Sequence, residues 1–128
     1  MRVLLDTHAF LWWINGDVRL SEKAREIFSD GDNELLFSVA SGWEMAIKAG
    51  LGKLTVSGSL GPFIAAHLAE NAVEVLPINL SHAVGVTELP GHHRDPFDRL
   101  LISQAIVEKL PILSVDPEIS RYPVETVW

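Results

Sequence analysis

Short runs of Val, Leu and Ile recur along the chain, separated by longer stretches in which apolar residues return every three or four positions. The short runs suit strands buried on both faces of a sheet, and the longer stretches suit helices that cover it. Strands are expected near Val3 to Leu5, Leu35 to Phe37, Val73 to Leu76, Ile112 to Ser114 and Val124 to Val127. Helices are expected from His8 to Ile14 and from Ser21 to Phe28, the second capped by Ser21 with Ala24, Ile27 and Phe28 on one face. Ser41-Gly42-Trp43-Glu44 has the S-x-x-E spacing of a capping box, and Gly50 and Gly52 lie where a helix starting there would stop. Gly61-Pro62 opens a helix to about Glu70, and Ser81 to Thr87 reads as a shorter one. After the break at Pro90-Gly91, Asp95-Pro96 starts a strong helix to about Glu108. Strands alternating with helices predict an α/β fold around a parallel sheet, with residues 1–128 forming one domain.

Composition narrows the function. Apolar residues make up 48% of the 128 positions and charged residues 21%, the balance of a folded globular domain rather than a disordered one. There is no cysteine, which excludes disulfides, thiolate metal sites and cysteine nucleophiles and fits a reducing compartment. Asp6 comes too early for a signal peptide, and no apolar run approaches the roughly 18 residues of a membrane span, so a cytoplasmic protein without membrane contact is expected. The net charge of −7 argues against a polyanionic partner. That objection weakens if several carboxylates gather around divalent cations, which place positive charge where a phosphate must sit.

Four acids stand where such a cluster could form. Asp6 ends the first expected strand, and Glu44 falls in the first turn of the helix after the second. Asp98 lies in the first turn of the Asp95-Pro96 helix, and Asp116 follows the Ile112 to Ser114 strand just before Pro117. In an open parallel sheet, residues just beyond the carboxyl ends of the strands share one edge, so these positions can converge. Carboxylates brought together there repel and raise one another's pKa, whereas a hard cation such as Mg²⁺ or Mn²⁺ converts the repulsion into ligation. Each acid alone also fits a helix terminus: Asp6 and Asp116 as N-caps, Glu44 as the partner of Ser41, and Asp98 facing the dipole of a helix capped by Asp95. The neighbouring Val3-Leu4-Leu5 and Leu100-Leu101-Ile102 set Asp6 and Asp98 near the core, a costly placement that favours function over capping.

Four blocks then carry a family resemblance: Leu5-Asp6-Thr7-His8-Ala9; Ser41-Gly42-Trp43-Glu44-Met45-Ala46-Ile47-Lys48 with Gly52-Lys53-Leu54 behind it; His93-Arg94-Asp95-Pro96-Phe97-Asp98-Arg99-Leu100-Leu101-Ile102; and Leu113-Ser114-Val115-Asp116. In their order and spacing the whole chain resembles the PIN domain of VapC-type toxins. The resemblance implies a Rossmann-like, mainly parallel sheet of about five strands flanked by helices. It implies that Asp6, Glu44, Asp98 and Asp116 are the metal-binding and catalytic acids, with Ser114 a small hydroxyl residue beside them. It further implies RNA cleavage with Mg²⁺ or Mn²⁺, inhibition by a small antitoxin, and a homodimer. Asp95 matches the family block and equally fits an N-cap. Arg99, Arg94, Lys48 and Lys53 suit RNA phosphates or carboxylate partners.

Among other residues, His8, His92 and His93 lack the His-x-x-x-His spacing of a zinc site. Trp12, Trp13 and Trp43 suit either base stacking or packing, and Leu11-Trp12-Trp13 before the polar turn Asn15-Gly16-Asp17 suits a partner surface. Two other classes of function compete. A receiver-like phosphoryl-transfer domain wants paired acids near the first strand and a Lys after a late one, and neither is present. A non-enzymatic interaction module would use the acids only as caps and would not be stabilised by metal.

Overall fold

Consecutive side chains of a strand point to opposite faces, so a strand that buries three in a row is covered on both, and Val3, Leu4 and Leu5 are fully buried in β1 (Arg2–Leu5). The computed structural model, which describes residues 1–128, places this strand in the middle of a five-stranded sheet. The others are β2 (Glu34–Ser38), β3 (Val73–Leu76), β4 (Ile112–Leu113) and β5 (Thr126–Val127), in the order β3-β2-β1-β4-β5 with every pairing parallel. In register, Val3 lies opposite Leu35 and Leu4 opposite both Leu36 and Ile112.

Alternation along the strands divides the core in two. Val3, Leu5, Leu35, Phe37, Val73 and Leu113 face α1 (Thr7–Asn15), α2 (Glu22–Ser29) and Met45 of α3 (Val39–Gly50), while α4 (Leu60–Glu70) packs Phe63, Ile64 and Leu68 against the same layer. Leu4, Leu36, Leu76 and Ile112 face the other way. They meet Leu101, Ile102 and Ala105 of α6 (Pro96–Glu108), Ile119 of α7 (Pro117–Ser120) and Tyr122, while α5 (Leu80–Gly85) and the 3-10 turn Val86–Glu88 pack on α6. Each such aliphatic side chain contributes about 1.5–3 kcal/mol on leaving water, so both helical layers are held firmly to the sheet. No helix is long and apolar enough to cross a membrane.

One expected helix start is corrected. The cap of α3 is Ser38, not Ser41: the Ser38 hydroxyl accepts from the Ala40 amide at 2.9 Å and hydrogen-bonds Gln104 of α6. Strand β2 passes into α3 without a loop, so the serine that ends the strand also caps the helix. Ser41 therefore lies inside α3, where its hydroxyl accepts a buried hydrogen bond from Thr7 Oγ1 at 2.8 Å. Glu44 consequently belongs to the second turn rather than the first. The far end follows expectation, with α3 closing at Gly50 and Gly52 adopting the left-handed φ of 72° that L residues disfavour. Strands β4 and β5 are shorter than the apolar runs indicated, and α7 is the short helix that the capping reading of Asp116 requires.

Candidate functional site

The chain runs β1, β2, β3 in one direction across the sheet and then places β4 on the far side of β1. Helices leave neighbouring strands towards opposite faces at this reversal, and a crevice opens beyond the carboxyl ends of β1 and β4. Asp6 directly follows β1, and Ser114 directly follows β4. The Ser114 hydroxyl donates to Asp6 Oδ2 at 2.7 Å and accepts from the Asp116 amide at 3.0 Å, so one buried side chain ties the two strand ends together. Asp6 occupies the N-cap position of α1 yet makes no side-chain cap hydrogen bond. The His8 amide of α1 lowers the pKa of this carboxylate but burial outweighs it, so helix capping alone does not explain its placement.

Glu44 and Asp98 come from the flanking helices. The Thr7–Ser41 hydrogen bond fixes α3 against the β1–α1 junction, and one turn further on Glu44 is buried with Oε2 receiving Lys48 Nζ at 2.6 Å. On α6, Asp95 Oδ1 accepts from the amides of Phe97 at 2.9 Å and Asp98 at 3.1 Å. Asp95 is therefore the helix cap, which leaves the Asp98 side chain without a capping role. The nearest polar partner of Asp98 is His93, whose Nε2 lies 3.4 Å from Oδ2 while its Nδ1 is held by the Tyr122 hydroxyl at 2.7 Å.

The electrostatics show that these acids share one field. Asp98 is pushed up to about 8, first by burial and then by the charges of Asp95, Asp6, Glu44 and Asp116. Asp6 is also raised, chiefly by burial and slightly by Asp116, against the lowering effect of the Ser114 hydrogen bond and of His8. Lys48 is raised by its hydrogen bond to Glu44, with burial opposing, and by the charges of Glu44, Asp95 and Asp98. Asp6, Glu44 and Asp116 thus all lie within electrostatic reach of Asp98 at one edge of the sheet.

They do not form a finished ligand set, since no three His, Asp or Glu side chains are close enough together to hold one ion. Glu44 is turned towards Lys48, and Asp116 Oδ1 caps α7 by accepting from the Glu118 amide at 2.9 Å. Of the four, Asp116 alone performs the capping that sequence offered as the plainer explanation. The four acids offer carboxylate oxygens, the donor type that a hard cation such as Mg²⁺ or Mn²⁺ prefers.

Other expected site residues divide. Arg99 donates to the carbonyls of Pro90 at 2.8 Å and Val86 at 3.3 Å and to the Tyr122 hydroxyl at 3.0 Å, so it clamps the loop before α6 and does not orient Asp98. Arg94 and Lys53 are exposed. Trp13 is half-buried, stacked on Phe28 at 4.8 Å between ring centroids, and its Nε1 donates to Asn71 at 2.8 Å. Trp43 is half exposed, edge-on to Phe97. Sequence reasoning weighed His93 only as a zinc ligand and missed its place beside Asp98, because the anchoring Tyr122 is remote in sequence. The Glu44–Lys48 pair did have a signal, the i,i+4 spacing on a helix.

A search of curated protein sequences finds no match to the chain. Among solved structures, it is similar to VapBC2 from Rickettsia felis bound to a DNA fragment from the promoter, with TM-score 0.74, 17% identity, and coverage of 99% of this chain and 98% of that one. It is similar to VapBC-1 from nontypeable Haemophilus influenzae, with TM-score 0.65, 16% identity and coverage of 99% and 97%. A third is VapBC-5 from Mycobacterium tuberculosis, a member of the VapBC family of toxin-antitoxin systems, with TM-score 0.61, 18% identity and coverage of 98% and 97%. At these identities the likeness establishes the fold. The model of the PIN domain family matches residues 3–125, from within β1 to the residue before β5, and so the chain belongs to the PIN domain family.

Proposed function

We propose that this protein is a metal-dependent endoribonuclease acting as the toxin of a toxin-antitoxin pair. The observation that carries the reading is the convergence of Asp6, Glu44, Asp98 and Asp116 beyond β1 and β4, with Ser114 bridging Asp6 and the Asp116 amide. Membership of the PIN family and the similarity to VapBC structures support it.

Asp6, Glu44, Asp98 and Asp116 would hold Mg²⁺ or Mn²⁺, which when bound lowers the pKa of water and offsets charge on a phosphodiester. Ser114 fixes one oxygen of Asp6 and leaves the rest of that carboxylate for ligation. Asp95 caps the first turn of α6, which carries Asp98, and His93, held by Tyr122, limits the rotation of Asp98. Lys48 stands at the rim with its side chain 39% exposed, where it balances Glu44 in the metal-free protein and can meet an RNA phosphate.

The partners follow the same reading. The substrate is RNA, a cognate antitoxin holds the enzyme inactive, and the chain acts in the cytoplasm. The exposed apolar side chains Val39, Trp43 and Ile47, spaced i, i+4 and i+8 on α3, support a homodimer. Incubating purified protein with a mixed RNA pool tests the nuclease. Cleavage in Mg²⁺ or Mn²⁺ that is abolished by EDTA and by Asp6→Asn is expected, whereas equal cleavage by the variant would overturn the assignment of the acids.

A further inference from the structure

Beside the acids lies a cleft of about 280 Å³ lined by Asp6, His8, Trp12, Arg19, Asp116 and Trp128, among others. Its volume falls near the low end of the range of roughly 300–1,000 Å³ typical of small-ligand pockets, so it suits a single planar group. Two indoles shape it. Trp12 of α1 and Trp128 after β5 pack edge-to-face, 5.8 Å apart between centroids at 69°, and both line the cleft. The His8 ring lies 6.0 Å from Trp12.

Arg19 completes this corner. Its guanidinium carbon sits 4.7 Å from the centre of the Trp12 ring, and Asp17 holds it through Nε at 3.1 Å and Nη2 at 2.7 Å. The Asp17 carboxyl is correspondingly lowered to about 2 by the hydrogen bonds from Arg19. The Arg19 Nη1 donors remain without a protein partner, on a side chain that is 65% exposed. A stacking surface next to free guanidinium donors, sharing Asp6 and Asp116 with the acid site, is the combination that recognises a base and its adjoining phosphate.

We propose that this cleft is a nucleobase subsite, in which Trp12 and Trp128 stack one base of single-stranded RNA next to the bond being cut and Arg19 meets its phosphate. The subsite rests on the nuclease reading, because Asp6 and Asp116 belong to both walls. It also answers the charge problem: in a protein of net charge −7, stacking supplies affinity that a basic surface does not. Trp13 takes no part, since its ring is committed to Phe28.

Stacking contributes about 1–3 kcal/mol per base, so losing it should weaken binding roughly 5- to 150-fold. The test measures binding of fluorescein-labelled decaadenylate and of an all-abasic ribose-phosphate decamer in Mg²⁺, by anisotropy, in an Asp6→Asn background that prevents cutting. Trp12→Leu, Trp128→Leu, Trp12→Phe and Arg19→Gln are added singly, and each is checked for an unchanged circular dichroism spectrum. Expected are a 5-fold or greater loss for decaadenylate with either leucine variant, recovery with Trp12→Phe, no change for the abasic strand with the leucine variants, and a loss for both strands with Arg19→Gln. Should Trp12→Leu fail to fold, Trp128→Leu at the chain end carries the test alone. Unchanged decaadenylate binding in both leucine variants, or an equal loss on the abasic strand, would overturn the subsite while leaving intact any metal-dependent cleavage that Asp6→Asn abolishes in the parent protein. Absence of that cleavage in the parent would overturn the nuclease reading and the subsite with it.

Discussion

Replacing Asp98 by Asn should stabilise the metal-free protein at alkaline pH. Asp98 is raised from 3.8 to about 8 by burial and by four neighbouring carboxylates. A carboxyl raised in this way keeps a proton in the native state that the unfolded chain has lost between about pH 4 and pH 8. Native stability therefore falls as pH rises through that window, and the full cost is present above pH 8. At 1.36 kcal/mol for each tenfold change in proton affinity, the rise from 3.8 to about 8 sets a ceiling near 6 kcal/mol. The Asp98 side chain is 17% exposed, so screening by water reduces the effect to about 2–3 kcal/mol. Asparagine keeps the shape and cannot ionise. In EDTA at pH 8.5 the variant should melt about 6–12 °C above the parent, and the two curves should meet near pH 4. Thermal denaturation followed by circular dichroism between pH 4 and pH 9 measures this, and saturating Mn²⁺ should shrink the gap by stabilising only the parent. Parallel melting curves across the whole range would refute the shared field of carboxylates.

Three further outcomes follow from individual contacts. Ser114→Ala removes a buried hydrogen bond to a carboxylate, and melting should report a loss of about 1.5–3 kcal/mol while Mn²⁺ affinity falls about 10- to 100-fold; unchanged affinity would exclude Ser114 from the site. Arg99→Ala should cost about 1–3 kcal/mol of stability by releasing the loop before α6, yet leave RNA binding by the folded fraction unchanged, and a selective loss of RNA affinity would contradict its role as a clamp. Trp43→Asp should convert a dimer seen by light scattering into a folded monomer, and a parent that is already monomeric would remove the dimer from the account.

How much of this was legible in the sequence depended on how local the signal was. The apolar runs at Val3 to Leu5 and Leu35 to Phe37 identified central strands because both faces of those strands are covered, and the parallel sheet followed from alternation with helices. The Asp95-Pro96 start of α6 and the Ser21 cap of α2 were readable because a cap acts over three residues. The same local rule misplaced the start of α3: Ser38 and Ser41 offer the same chemistry, and the choice between them depends on Gln104 and Thr7, which are remote in sequence. Convergence of the four acids could be inferred from sheet topology, but their present partners could not. Lys48 was within reach through its helical spacing, whereas Ser114 linking two strand ends, and His93 held by Tyr122, depend on packing between distant segments. Trp12 and Trp13 are adjacent and alike in sequence, yet one lines a cleft and the other stacks in the core, because successive helical positions point about 100° apart.

The most direct test of the central claim is calorimetric titration of Mn²⁺ into metal-stripped protein, parent beside Asp6→Asn, with RNA cleavage followed at each point of the same titration. Expected are saturable binding in the parent, half-maximal cleavage at the Mn²⁺ concentration that half-fills the site, and loss of both in the variant. Saturable binding and cleavage that persist unchanged in Asp6→Asn would show that the chemistry does not take place at the convergence of Asp6, Glu44, Asp98 and Asp116.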